Sequence, residues 1–125
     1  MSGKITIKEI NTPEEFFEVI AGLRILVIGD VMIDSYLWGK VERISPEAPV
    51  PVVQVENRDK RMGGAANVAL NLKSLGATPI LCSVIGNDQD GTTFLELLST
   101  AGLTADGIVS SANRITTVKH RIMSG

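Results

Sequence analysis

The apolar and polar positions of this chain fall into stretches of two periods, one suited to helices and one to strands, separated by glycine and proline. In Thr12-Pro13-Glu14-Glu15, Thr12 can cap a helix, Pro13 suits the first helical position and Glu15 completes a capping box. A helix to about Ala21, ended by Gly22, is predicted. Leu23 to Ile28 is then a continuous, β-branched apolar run, the pattern of a central parallel strand buried on both faces.

From Tyr36 to Arg61 the texture changes. Tyr36, Trp38, Val41 and Ile44 precede the proline-punctuated run Ser45 to Pro51, after which Val53 and Val55 alternate with Gln54 and Glu56. Proline cannot donate to a ladder, so these strands are expected to be edge-like or to form a small separate sheet, an excursion from the main one. Ala65, Ala66, Val68, Ala69, Leu72 and Leu75 then form a helical stripe with a small-residue face, closed by Gly76.

Thr78 to Ile85 reads as the next buried strand and Gly86 to Gly91 as a turn, with Asp90 or Thr92 as the cap of the helix that follows. Phe94, Leu97, Leu98 and Ala101 make one face of that helix, which Gly102 stops. After a short candidate strand at Gly107 to Val109, Thr116 to Met123 alternates Thr117, Lys119 and Arg121 against Val118, His120 and Ile122. His120 is expected to pack on the apolar side. The order strand, helix, strand, helix predicts an α/β fold, a Rossmann-like parallel sheet with flanking helices and right-handed crossovers. There is no internal repeat.

Composition narrows the function classes. The 125 residues are enough for one core, and 44% hydrophobic with 21% charged residues is ordinary for a globular protein. A formal net charge of −2 provides no field for a polyanion, and no basic run is interleaved with aromatics, so a nucleic-acid partner is not expected. The apolar runs fall far short of the roughly 20 residues that span a bilayer, and Met1 to Asn11 lacks a signal layout. No membrane partner and a cytoplasmic location are therefore expected. The single cysteine, Cys82, lies in an apolar run and reads as a buried, inert thiol.

Two constellations can carry chemistry. Asp30 and Asp34 follow the strand ending at Ile28, where open α/β sheets bind ligands at the carboxyl edge. A carboxylate there can accept two hydroxyl hydrogen bonds from a sugar, or it can cap a turn. The opening Leu26-Val27-Ile28-Gly29-Asp30 has one of the three glycines that a dinucleotide fingerprint needs, which disfavours a nicotinamide cofactor. Gly63 and Gly64 directly precede a helix, so a ligand can approach the backbone and its unpaired N–H groups, with Asn67 in the first turn able to donate and accept. The same glycines can equally make a tight turn.

Gly63-Gly64-Ala65-Ala66-Asn67-Val68-Ala69, followed by Leu72 and Leu75-Gly76-Ala77, resembles the first signature of the ribokinase-like (PfkB) carbohydrate kinases. Gly29 to Asp34 and Gly86 to Gly91 stand at the expected separations. The stretch Arg43 to Val53, with Ser45-Pro46-Glu47-Ala48-Pro49, is more particular and resembles the kinase domain of bacterial enzymes of ADP-heptose synthesis. The resemblance implies that Asp34, Gly63, Gly64 and Asn67 hold sugar hydroxyls and that Tyr36 to Arg61 forms a β-lid that pairs across a homodimer. It further implies an ATP- and Mg²⁺-dependent kinase whose acceptor is the anomeric hydroxyl of a heptose 7-phosphate. For the dianion of such a substrate, Lys119 and Arg121 are candidate counter-groups, whereas Arg58 and Lys60 read as solvated surface.

Members of that family carry, much further along, a Gly-x-Gly-Asp motif that supplies an anion hole and the base. Residues 1–125 are accordingly expected to be the N-terminal sugar-binding portion, without the nucleotide-binding half and without ATP or Mg²⁺ bound by this chain alone. The alternative is a stand-alone, non-catalytic sugar-binding or oligomerisation module.

Overall fold

The computed structural model of the protein describes residues 9–124; the reading of Met1 to Asn11 falls mostly outside them. The helix at Pro13–Ala21 (α1) forms as its capping residues require. Thr12 Oγ1 accepts from the Glu15 N–H at 3.2 Å, while the Glu15 carboxylate reaches back to the Asn11 N–H at 2.9 Å.

The remaining elements are β1 (Arg24–Ile28), β2 (Val31–Ile44), β3 (Pro51–Gly64), α2 (Ala65–Ser74), β4 (Thr78–Gly86), α3 (Gln89–Thr100), β5 (Ile108–Ser111) and β6 (Val118–Ser124). They build two three-stranded sheets, a parallel one in the order β1-β4-β5 and a mixed one in the order β3-β2-β6. The parallel sheet with its flanking helices is the predicted α/β architecture. Its centre, however, is β4. β1 stands at its edge among the described residues, with Leu26 57% and Ile28 75% exposed, so the expectation of a central strand buried on both faces is corrected. An apolar run shows that a strand is fit for burial, but not which of its faces is covered.

The stretch 36–61, expected to leave the main sheet, lies within the ribbon of β2 and β3, which spans Val31 to Gly64 and forms part of the second sheet. β2 and β3 are each 14 residues long and antiparallel, a ribbon of roughly 45 Å at the usual rise per strand residue. β6 adds to β2 in parallel and makes it the central strand of that sheet.

The core lies between the sheets and the helices. Ala66 and Ala69 of α2 are fully buried, and their small side chains let the helix approach the sheet closely. Leu81 and Ile85 of β4, Phe94 and Leu98 of α3, and Val31, Ile33 and Met62 from the root of the second sheet complete the cluster. Burying a side chain of this size contributes about 1.5–3 kcal/mol. The cap of α3 is Asp88, not Asp90 or Thr92: its Oδ1 accepts from the Gly91 N–H at 2.7 Å, because Asp88 is the last extended residue before the helix.

Candidate functional site

Alternation along β2 places Asp34, Tyr36 and Trp38 on one face of the second sheet and turns Ile33 and Ser35 into the core. The register then assembles the site. Arg61 of β3 and Lys119 of β6 stand opposite Asp34, and Asp59 and Arg121 stand opposite Tyr36. Asp34 is thus an interior strand residue, and the expectation that it sits just past the end of β1 is corrected.

Arg121 Nη1 donates to Asp34 Oδ1 at 2.6 Å and to the Tyr36 hydroxyl at 2.9 Å. The pair is half-buried, with the Asp34 side chain 18% exposed, so it is screened less than a surface ion pair. Tyr36 stacks on Trp38 with ring centroids 5.7 Å apart. The guanidinium carbons of Arg61 and Arg121 lie 5.2 and 5.1 Å from the Tyr36 centroid, each within reach of a cation–π attraction of about 0.5–1 kcal/mol. Arg61 is itself bound to Asp59 at 2.7 Å, and this hydrogen bond raises its pKa further.

The glycines complete the floor. A Cβ on Gly63 would collide with Asp34 Oδ2, so the carboxylate rests directly over a bare backbone. Gly64 has φ +62°, a left-handed conformation that favours glycine, and a Cβ there would run into the Asp30 carbonyl. It precedes α2 with no side-chain cap, and the Asp30 carbonyl takes the Ala65 N–H at 2.9 Å. Asn67 lies exposed in the first turn of α2.

Asp34 is therefore bonded to Arg121 and lies over Gly63, Gly64 adjoins Gly63, and Lys119 is exposed at the register position beside Asp34. Asp30 has a different partner from Asp34. It is highly exposed and paired with Arg114 at 3.1 Å, beside an open cavity of about 340 Å³ at the carboxyl ends of β1 and β4.

Lys60 pairs with Asp90 of α3 at 3.2 Å and so is not merely solvated. His120 is exposed, correcting its expected packing, because its face of β6 is left largely open, with Ile122 60% exposed. Cys82 is half-buried in the wall of the open cavity and not in the core. Tyr36 joins the site although the sequence does not mark it for chemistry. Its i+2 spacing from Asp34 was the available signal, once both are placed in one strand.

What this face offers is a carboxylate with spare acceptor positions, a phenol, two guanidiniums and an ammonium beside bare backbone, a surface suited to a polyhydroxylated anion. Among the described residues no three His, Cys, Asp or Glu side chains cluster to hold a metal ion, and no helix is long and apolar enough to cross a membrane.

Residues 23–125 match the sequence pattern of the pfkB family carbohydrate kinases. The chain belongs to the pfkB carbohydrate kinase family. This pfkB chain is 52% identical over 101 residues to the bifunctional protein HldE of Helicobacter pylori J99, covering 81% of the chain and 22% of that protein. The bifunctional protein HldE of Citrifermentans bemidjiense is 47% identical over 111 residues, 89% of the chain and 23% of that protein. The pfkB chain thus spans under a quarter of the length of these relatives. A carbohydrate kinase from Agrobacterium tumefaciens matches its fold with a TM-score of 0.64 at 26% identity, over 81% of the chain and 31% of that structure.

Proposed function

We propose that this chain is the acceptor-binding portion of an ATP-dependent sugar kinase and that the acceptor is a phosphosugar, D-glycero-D-manno-heptose 7-phosphate. The observation that carries the reading is the Arg121–Asp34 pair seated over Gly63. A sugar hydroxyl can donate to Asp34 while the adjacent cations, Arg121 and Lys119, face the phosphate. Gly63, Gly64 and the first turn of α2 with Asn67 admit the sugar ring against the backbone. The heptose assignment is supported by the Arg43 to Val53 stretch and by the HldE relatives.

In this reading the second sheet is the lid over the acceptor, and it pairs with a second copy through its exposed far end, where Val41, Ile44 and Val50 are 43%, 60% and 52% exposed. MgATP supplies the transferred γ-phosphoryl group. Its binding groups are assigned to the part of the longer HldE relatives that this chain does not cover, and the kinase is placed in the cytoplasm. This chain's own contribution is to orient the acceptor hydroxyl and to exclude water when the lid closes. Family membership leaves the stand-alone binding module without a supporting observation.

The test is a comparison of acceptors with the full-length kinase. Heptose 7-phosphate should exceed the unphosphorylated heptose in kcat/KM, and Arg121→Ala should reduce that preference about tenfold or more by removing a charge-assisted contact. Equal use of both heptoses, with a preference untouched by Arg121→Ala, would overturn the phosphosugar reading.

A further inference from the structure

Asp88 has two carboxylate oxygens, and they serve different parts of the molecule. Oδ1 caps α3 at Gly91, while Oδ2 accepts from the Thr116 backbone N–H at 2.8 Å, 28 residues along the chain. Thr116 is 4% exposed, and its Oγ1 accepts from the Gly86 N–H at 2.9 Å, at the end of β4. The next residue, just before β6, bonds to the other sheet: the Thr117 carbonyl accepts from the Ile33 N–H of β2 at 2.9 Å. From there β6 runs in fixed register, Lys119 beside Asp34 and Arg121 beside Tyr36.

There is little slack in this junction. A Cβ on Gly86 would collide with Asp88 Oδ2 and stand 2.7 Å from both the Arg114 carbonyl and the Thr116 nitrogen, and one on Gly91 would strike the Gly86 carbonyl. Among the described residues Asp88 and Thr116 bond to each other and to Gly86 and Gly91, while Asp34 bonds to Arg121. The pair of Asp88 and Thr116 joins the carboxyl edge of the parallel sheet to the strand that delivers Arg121.

We infer that Asp88 is a positioning residue: through Thr116 it sets the placement of β6 and so holds Arg121 and Lys119 in line with Asp34. The inference rests on the sugar-site reading for its functional half. Its structural half does not.

Asp88→Asn separates the two duties. One amide oxygen can still cap α3, but an NH₂ then faces one of the two N–H donors. Asp88→Ser is the second variant, since its hydroxyl can cap the helix but is too short to serve Thr116 as well. Lys73→Met is the control: it removes the Lys73 Nζ contacts to the Ala101 and Gly102 carbonyls and so perturbs the other end of α3.

Hydrogen exchange on the chain should show the Ile33 amide and the β6 amides opening about tenfold faster in both Asp88 variants and unchanged relative to the rest of the molecule in the control. In the full-length kinase, the same variants should raise the acceptor KM about fivefold while kcat changes less than about twofold. A merely structural defect would lower the active fraction and hence kcat, leaving KM alone.

Unchanged β6 exchange overturns the inference, and so does faster exchange with an unaltered KM. If Asp34→Asn itself leaves acceptor kinetics untouched, the sugar-site reading fails and takes the functional half with it. The exchange data then still decide whether Asp88 holds β6.

Discussion

Arg121 reaches Asp34 from 87 residues away in the chain, and the two meet at 2.6 Å only because β6 lies parallel beside β2. A carboxylate so paired is oriented, and Oδ1 is already engaged. Oδ2, over Gly63, is the oxygen left to receive a hydroxyl.

Asp34→Asn should therefore lower kcat/KM for the phosphosugar by about one to two orders of magnitude, since a charge-assisted hydrogen bond is worth ~1.5–3 kcal/mol. Because the ion pair with Arg121 is half-buried, some loss of stability should accompany it. Melting temperature and kinetics on the same variant separate the two effects. A lowered melting temperature with normal kcat/KM would show that Asp34 is structural.

Gly63→Ala and Gly64→Ala should fail differently. At Gly63 the new Cβ meets the Asp34 carboxylate and, at 3.0 Å, Met32 Cγ, so the acceptor KM should rise several-fold with an overpacking cost of ~1–3 kcal/mol. At Gly64 the positive φ and the Asp30 carbonyl both oppose a side chain, so loss of stability should dominate at ~1–3 kcal/mol. Chemical denaturation with parallel kinetics distinguishes them, and identical profiles would refute the distinct roles.

Asp88 carries a pH signature. Hydrogen bonds from the Thr116 backbone and side chain, and from the Gly91 N–H, hold its pKa below the usual carboxylate value. A folded pKa lower than the unfolded one contributes stability that is fully present above the unfolded pKa of about 3.9 and is lost as pH falls through the folded value. Asp88→Asn should accordingly flatten the fall in melting temperature between about pH 5 and pH 2. Parallel curves for the two proteins would show that Asp88 is not the group titrating.

Self-association should follow from the exposed end of the β2–β3 ribbon. Light scattering should report a dimer, and Val41→Lys with Ile44→Lys should shift it to monomer by placing like charges on a strand surface. Monomer alone at high micromolar concentration would argue against a lid that pairs.

Much of the fold was legible from neighbours in sequence. The Thr12 cap, the Gly22 stop, the alanine face of α2 and the alternation of Lys119 and Arg121 against Val118, His120 and Ile122 are set by local dihedral preference and side-chain period, which a short window contains. The glycine-rich start of α2 and its spacing to Asp34 also identified the carbohydrate-kinase family.

Partner choice between strands was not legible. Nothing in Thr116 to Met123 says that β6 joins β2 and not the parallel sheet or that the His120 face is open, and nothing in Leu23 to Ile28 says that among the described residues β4 stands between β1 and β5. Likewise the sequence offered Asp90 or Thr92 as the cap of α3, and only the approach of Thr116 shows why Asp88 serves two elements. These features depend on contacts between residues tens of positions apart, decided by which faces bury the most surface together. The sequence therefore determined the elements and the family, while packing brought Asp34, Tyr36 and Arg121 together on one face.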